Sequence, residues 1–183
     1  SCIIAIHNTS LGPAVGGVRM WPYASEADAL TDALRLSKAM TYKASLAGLD
    51  MGGGKAVIVG DPRKDKTEAL LRSFGRSVEM LGGRYITAED VGTTPDDLRV
   101  VMEETQWLVG KPVEVGGSGD SAPATGFGVY QGIRAAAKEV WGHSRLKDRI
   151  VAIQGFGKVA TCMAPYLVQE GARLVVAEVC PEA

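Results

Sequence analysis

The residue with the clearest chemical promise is a lysine that follows three glycines and opens an apolar run. Met51-Gly52-Gly53-Gly54-Lys55 leads into Ala56-Val57-Ile58-Val59. That run reads as a buried strand, and glycines permit a turn with positive φ or the close approach of a ligand. Lys55 is therefore expected on a glycine elbow at the mouth of a strand, where an ammonium is poorly solvated. Such a lysine either anchors a phosphate or carboxylate, or is a reactive amine with a lowered pKa. The plain alternative is a surface lysine on an ordinary turn. A P-loop needs glycine where Leu49 stands and Ser or Thr where Ala56 stands, which disfavours a nucleoside triphosphate site.

Two further groups could work with Lys55. Lys43 ends Met40-Thr41-Tyr42-Lys43, late in an expected helix. A lysine there is ordinarily a favourable C-terminal charge, and it gains interest because the glycine run comes next. Asp90 lies in Glu89-Asp90-Val91-Gly92-Thr93-Thr94, just past a short strand over 84–88. Acids at strand ends are placed as catalytic groups often are in α/β folds, and they can equally cap a following helix. Thr94-Pro95-Asp96-Asp97 supplies a cap of its own, which leaves Asp90 without a structural duty. The segment from Leu11 to Met20 contains Gly16-Gly17, read either as a loop that turns N–H groups onto a small anion or as a simple connection.

A second chemistry appears near the C-terminal end. A strand over 149–154 is followed by Gly155-Phe156-Gly157-Lys158-Val159-Ala160, then a helix, then a strand over 174–178 ending in Glu178. GxGxxA in this order is the dinucleotide fingerprint. The two glycines allow the turn and the approach of a pyrophosphate, and Ala160 allows close helix–strand packing. The helix N-terminus, around Lys158 and Val159, offers N–H groups to phosphate. Glu178 would accept hydrogen bonds from the adenosine ribose and repel a 2′-phosphate, which favours NAD over NADP.

These groups need elements to hold them. A strand is expected over Cys2–Asn8, and a helix from the N-cap Ser25 to about Ala44. A polar turn over 60–66 precedes a helix from Thr67 to Leu81, and another helix runs from Pro123 to Trp141. Gly116-Gly117-Ser118-Gly119-Asp120-Ser121 is the strongest linker signal. The expected fold class is α/β. Residues 1–121 form a substrate and catalytic domain, and 122–183 begin a Rossmann dinucleotide-binding domain that stops early. The 116–121 stretch serves as a hinge, with the active site expected in the cleft between the domains. Both ends look cut, so the function to be read is that of a longer parent.

Composition removes other classes. The chain has 183 residues and a formal net charge of −1, so no strong field points to nucleic acid or an anionic membrane. No apolar run approaches the ~18 residues of a membrane span, and no secretory signal is visible. Cys2, Cys162 and Cys180 are odd in number and lack metal-ligand spacing, which suits free thiols in a reducing cytoplasm and no metal. His7 and His143 read as structural or exposed, and Trp21, Trp107, Trp141, Met102 and Met163 as packing residues.

Taken together, five segments resemble the amino-acid dehydrogenase family that includes leucine, phenylalanine, valine and glutamate dehydrogenases. They are Leu11–Gly17, Met40–Lys43, Gly52–Lys55, Thr87–Thr94 and Gln154–Gly157. They occur in family order and span nearly the whole chain. The resemblance implies reversible, NAD-dependent oxidative deamination of an L-amino acid to a 2-oxo acid and ammonia, by a homo-oligomer. It implies that Lys43 holds the substrate α-carboxylate, aided by Gly16 and Gly17. Lys55 activates the water that attacks the iminium carbon, and Asp90 shuttles a proton to and from the amine nitrogen. Thr125 matches a threonine near the nicotinamide amide. Val15, Met40 and Ala88 match positions beside the substrate side chain. Ala88 leans to leucine or other branched-chain substrates, since phenylalanine enzymes often carry glycine there. The 116–121 stretch and Lys158 look more like phenylalanine enzymes, so that substrate is the alternative. A non-catalytic NAD-binding protein of the same fold is a more remote one.

Overall fold

A computed structural model describes residues 1–179, which leaves Cys180 outside the described residues. The chain divides into two compact units, Ser1–Asp120 and Ser121–Ala183.

In the first unit the elements are β1 (Cys2–Asn8), β2 (Ala14–Val15), β3 (Val18–Trp21), α1 (Glu26–Leu46), β4 (Gly52–Val59), α2 (Glu68–Glu79), β5 (Tyr85–Ile86) and α3 (Pro95–Val101). The three glycines do not form an elbow. They are the first residues of β4, all buried, and none has positive φ. Strand β4 lies at the centre of a mixed sheet. It runs antiparallel to β1, with Ala5 opposite Lys55, and parallel to both β2 and β3.

The segment expected as a glycine loop is also largely strand. Ala14 and Val15 pair with Gly52 and Gly53, and Val18 to Trp21 pair with Ala56 to Val59. On its other side this segment receives the chain from Arg84 onward. The amides of Ala14, Gly16, Val18 and Met20 donate to the carbonyls of Arg84, Ile86, Ala88 and Val91. The Gly16 amide is thus spent within the sheet and is not turned onto an anion. What the sequence pattern hid was brevity: strands of two and four residues give too few positions for alternation to show.

Small residues explain how α1 lies on the sheet. Its buried face is Ala29, Ala33, Ser37 and Ala44. Ser25 caps it by accepting from the Asp28 amide at 3.1 Å. A Cβ on Gly53 would lie 2.2 Å from the Thr41 amide nitrogen and 2.5 Å from the Ser37 carbonyl oxygen. The helix backbone therefore rests almost directly on the strand backbone. The other face of the sheet carries the larger core, in which Met20, Ile58 and Tyr85 meet Leu71, Phe74 and Val78 of α2 and Val101 of α3. Helix α3 has its own capping box from Thr94 and Asp97, so Asp90 is free of that duty.

The second unit contains α4 (Ala122–Trp141), β6 (Ile150–Gln154), α5 (Lys158–Gln169) and β7 (Arg173–Ala177). Strands β6 and β7 pair in parallel through the α5 crossover, the first β-α-β of a Rossmann-like domain. Its core gathers Tyr130 and Ala137 from α4, Ile153 from β6, Met163 and Leu167 from α5, and Leu146. Trp107 packs against the first unit's core, but Trp21 and Trp141 are half exposed, contrary to the packing expectation. The Trp141 ring instead lies under the Arg149 guanidinium, 4.1 Å from its centroid. No helix among the described residues is long and apolar enough to cross a membrane.

Candidate active site

The sheet brings Lys55 and Asp90 together from opposite sides of β3. Lys55 is the fourth residue of the central strand, and its side chain is 6% exposed. Asp90 lies in the turn that follows β5. The Asp90 amide donates to the Thr93 hydroxyl at 2.9 Å, and that hydroxyl lies 2.9 Å from the Val18 carbonyl oxygen. Gly92 adopts a φ of 81°, and a Cβ there would lie 2.1 Å from the Met20 carbonyl oxygen. The turn is thereby fastened to β3. Lys55 Nζ lies 3.1 Å from Asp90 Oδ2.

Close approach of three backbones makes this possible. A Cβ on Gly16 would lie 1.7 Å from the Gly54 carbonyl oxygen, and one on Gly17 2.2 Å from the Glu89 carbonyl oxygen. Gly54 faces the Tyr85 ring, whose hydroxyl donates to the Gly16 carbonyl at 2.5 Å. Any larger residue at these positions would separate the strands that carry Lys55 and Asp90.

Sequence reasoning missed a third charged group. Arg19, on β3, donates from Nε to Asp90 Oδ2 at 2.9 Å and from Nη1 to Asp32 Oδ2 at 3.0 Å. Tyr23 donates its hydroxyl to the same Asp32 oxygen at 2.6 Å. The available signal was a lone arginine in the otherwise apolar Val18-Arg19-Met20-Trp21. Read as loop, that stretch called for no explanation of its charge.

The electrostatics follow from burial and these contacts. Burial pushes the Lys55 amine below its usual value; Asp90 pulls against this, while the charges of Arg19 and Lys43 add to the lowering. Burial alone would raise the Asp90 carboxyl, yet Lys55 and Arg19 together hold it below the usual carboxylate range. Burial, with the Asp32 hydrogen bond next, pushes the Tyr23 phenol up to about 12. The pair thus couples an amine whose pKa is lowered with a carboxyl whose pKa is also lowered.

Lys43 is in the last turn of α1, exposed, with Met40 one turn before it and half-buried. Its charge is felt at Lys55. Val15, opposite Gly53, and Ala88, whose carbonyl takes the Val18 amide, are both half-buried.

The dinucleotide residues belong to the second unit. Gly155 has a φ of 84°, which a side chain would strain. Gly157 is the N-cap of α5 with an ordinary φ of −76°, and nothing lies within 4 Å of a Cβ built on it. No side chain caps that helix, and its first turn carries no acid. Open space over an uncapped helix N-terminus fits a phosphate. The Phe156 amide donates to Glu178 Oε2 at 2.5 Å, and the Val179 amide donates to Oε1 at 2.7 Å. Glu178 therefore stands over the glycine turn. Thr125 is in the first turn of α4, exposed, next to Gly126, whose missing Cβ would lie 2.9 Å from Cys162 Cβ on α5.

Comparison with known proteins identifies the family. Residues 1–107 match the family model described as Glu/Leu/Phe/Val dehydrogenase, dimerisation domain, and residues 116–178 match Glutamate/Leucine/Phenylalanine/Valine dehydrogenase. The chain is 56% identical over 180 residues to leucine dehydrogenase of Geobacillus stearothermophilus, covering 98% of this chain and 49% of that enzyme. It is 57% identical over 180 residues to phenylalanine dehydrogenase of Caldalkalibacillus thermarum, with coverage of 98% and 49%. Among solved structures, L-tryptophan dehydrogenase from Nostoc punctiforme matches with a TM-score of 0.69 at 46% identity, over 97% of this chain and 50% of that one. The chain spans about half the length of the curated relatives it matches. With a buried lysine–aspartate pair in one unit, a GxGxxA turn in the other, and family matches along both, this chain belongs to the Glu/Leu/Phe/Val dehydrogenase family.

Proposed function

We propose that the full-length protein catalyses the reversible, NAD-dependent oxidative deamination of an L-amino acid, leucine or another branched-chain substrate first. The observation that carries this reading is the buried Lys55 amine in contact with Asp90. Bound NAD supplies the acceptor for the hydride that leaves the substrate Cα. Lys43 holds the α-carboxylate by charge. Lys55, with its pKa lowered by burial, takes the proton of the water that adds to the iminium carbon. Asp90, kept ionised, receives and returns the proton of the amine nitrogen. Ammonia and a 2-oxo acid leave, and the reverse reaction uses the same groups.

For the cofactor, Gly155, Gly157, Lys158 and Val159 form the phosphate turn and Thr125 attends the nicotinamide amide. The carboxylate of Glu178, beside Phe156, supports NAD over NADP because a 2′-phosphate would meet a like charge. Val15, Met40 and Ala88, with Gly16 and Gly17, border the substrate; Ala88 supports an aliphatic side chain. Phenylalanine is the second reading, supported by the similarity to a phenylalanine dehydrogenase. A homo-oligomer is supported by the match to a dimerisation domain. The free cysteines Cys2 and Cys162 support a reducing, cytoplasmic setting.

The test is a side-by-side rate comparison on L-leucine, L-valine, L-isoleucine and L-phenylalanine with NAD and NADP, followed as NADH or NADPH absorbance. Leucine with NAD is expected to be fastest. No turnover with any aliphatic or aromatic L-amino acid would overturn the proposal. Lys55→Ala is expected to abolish turnover while NAD still binds, and normal turnover in that variant would remove Lys55 from its role.

A further inference from the structure

We propose that Arg19 is a positioning residue, whose two-pronged grip on Asp90 and Asp32 fixes which carboxylate oxygen of Asp90 meets the substrate amine. The inference rests on the dehydrogenase reading for its chemistry, and on the following geometry for its substance.

Both cations at Asp90 converge on one oxygen. Arg19 Nε and Lys55 Nζ lie 2.9 Å and 3.1 Å from Oδ2. Both of these contacts go to Oδ2, so Oδ1 is the oxygen that exchanges a proton with the amine. Arg19 can hold this arrangement because it is itself held. Its Nη1 is anchored 3.0 Å from Asp32 on α1, and Asp32 is fixed in turn by the Tyr23 hydroxyl at 2.6 Å. Its backbone is locked by pairing with Val57. A guanidinium has separate donors for the two carboxylates, whereas an ammonium is a single point charge. Arg19 is also always charged, so Lys55 shares Asp90 with a permanent competitor.

The charged and titratable groups that bear on the pair are Arg19 on β3, Lys43 and Asp32 on α1, and Tyr85 on β5. Removing Arg19 leaves Asp90 to Lys55 alone and takes away a nearby positive charge. Both changes favour the Lys55 ammonium, in the direction opposite to burial. A residue that only braced the fold would not move that titration.

The experiment uses the full-length protein with Arg19→Met and Arg19→Lys. The first readout is acylation of Lys55 by cyanate across pH, quantified by peptide mass spectrometry, which needs no substrate. In Arg19→Met the midpoint of Lys55 reaction is expected to rise by about one pH unit or more. The acid limb of kcat/KM should move with it, and kcat should fall about 100-fold with KM changed less than about threefold. Arg19→Lys keeps the charge and loses the fork, so its Lys55 midpoint should stay near wild type while kcat falls about 10-fold. An unchanged midpoint in folded Arg19→Met overturns the proposal. If Arg19→Met does not fold, Arg19→Lys decides, and a kcat within twofold of wild type overturns it. Should the wild type turn over no amino acid, the proposed function fails while the acylation arm still decides the role of Arg19.

Discussion

Gly53→Ala tests whether the glycine run exists for packing. Gly53 is in the interior of β4 with ordinary strand backbone. On local grounds alone alanine should help, because glycine in a strand costs about 0.5–1 kcal/mol relative to alanine. Packing opposes this. The added Cβ would lie 2.2 Å from both the Thr41 amide nitrogen and its Oγ1, and 2.5 Å from the Ser37 carbonyl oxygen. An ordinary contact begins near 3.4 Å, so α1 must withdraw by roughly 1 Å. Two of the three obstructing atoms are backbone and cannot rotate away. Overpacking of a well-packed site costs about 1–3 kcal/mol, and rigid obstruction places this case at about 3 kcal/mol, well above the propensity gain. The expected result is a Tm lower by on the order of 10 °C and a matching fall in the urea midpoint at unchanged slope. Helix α1 carries Met40 and Lys43, so on their proposed roles substrate affinity should fall with stability. A variant within 0.5 kcal/mol of wild type, or a more stable one, would refute the argument and return the glycines to an elbow or ligand-approach role.

Gly157→Ala is the converse case: nothing lies within 4 Å of its Cβ, so thermal stability should hold while NAD affinity by calorimetry drops at least ~10-fold. Unchanged affinity would move the phosphate elsewhere. The depressed carboxyl of Asp90 also has a thermodynamic consequence. The folded state binds fewer protons there than the unfolded chain, so the stabilisation is complete above the unfolded value of about 3.9 and disappears as pH falls through the folded value. Denaturant titrations of wild type and Asp90→Asn should therefore converge in stability between pH 5 and pH 2, and a pH-independent gap would refute the ionised assignment.

Much of the site was legible because its signals are local. The GxGxxA turn is a contiguous pattern set between a strand and a helix, and β6, α5 and β7 form where that order requires. The Ser25 and Thr94 caps were readable because a hydroxyl and an amide three residues on meet within one turn. Lys55 and Asp90 drew attention because a lysine after glycines and an acid after a strand are unusual at short range. Arg19, Asp32 and Tyr23 were missed because their meaning lies in each other, across strands and a helix that no local pattern joins. The glycines differ from expectation for a related reason: a strand whose first three residues have no side chains shows no alternation, and only the helix backbone seated on it reveals it.

The sequence by itself determined the chemistry available: a lysine at a strand, an aspartate just past one, and a GxGxxA turn between a strand and a helix. Tertiary structure decided how the lysine is buried and what it touches. It seated Lys55 inside the central strand rather than on an elbow at the strand's mouth, and it drew β3 between that strand and the Asp90 turn. Both depend on backbones approaching closely where side chains are missing, a condition set jointly by residues more than thirty positions apart and therefore invisible to any reading along the chain.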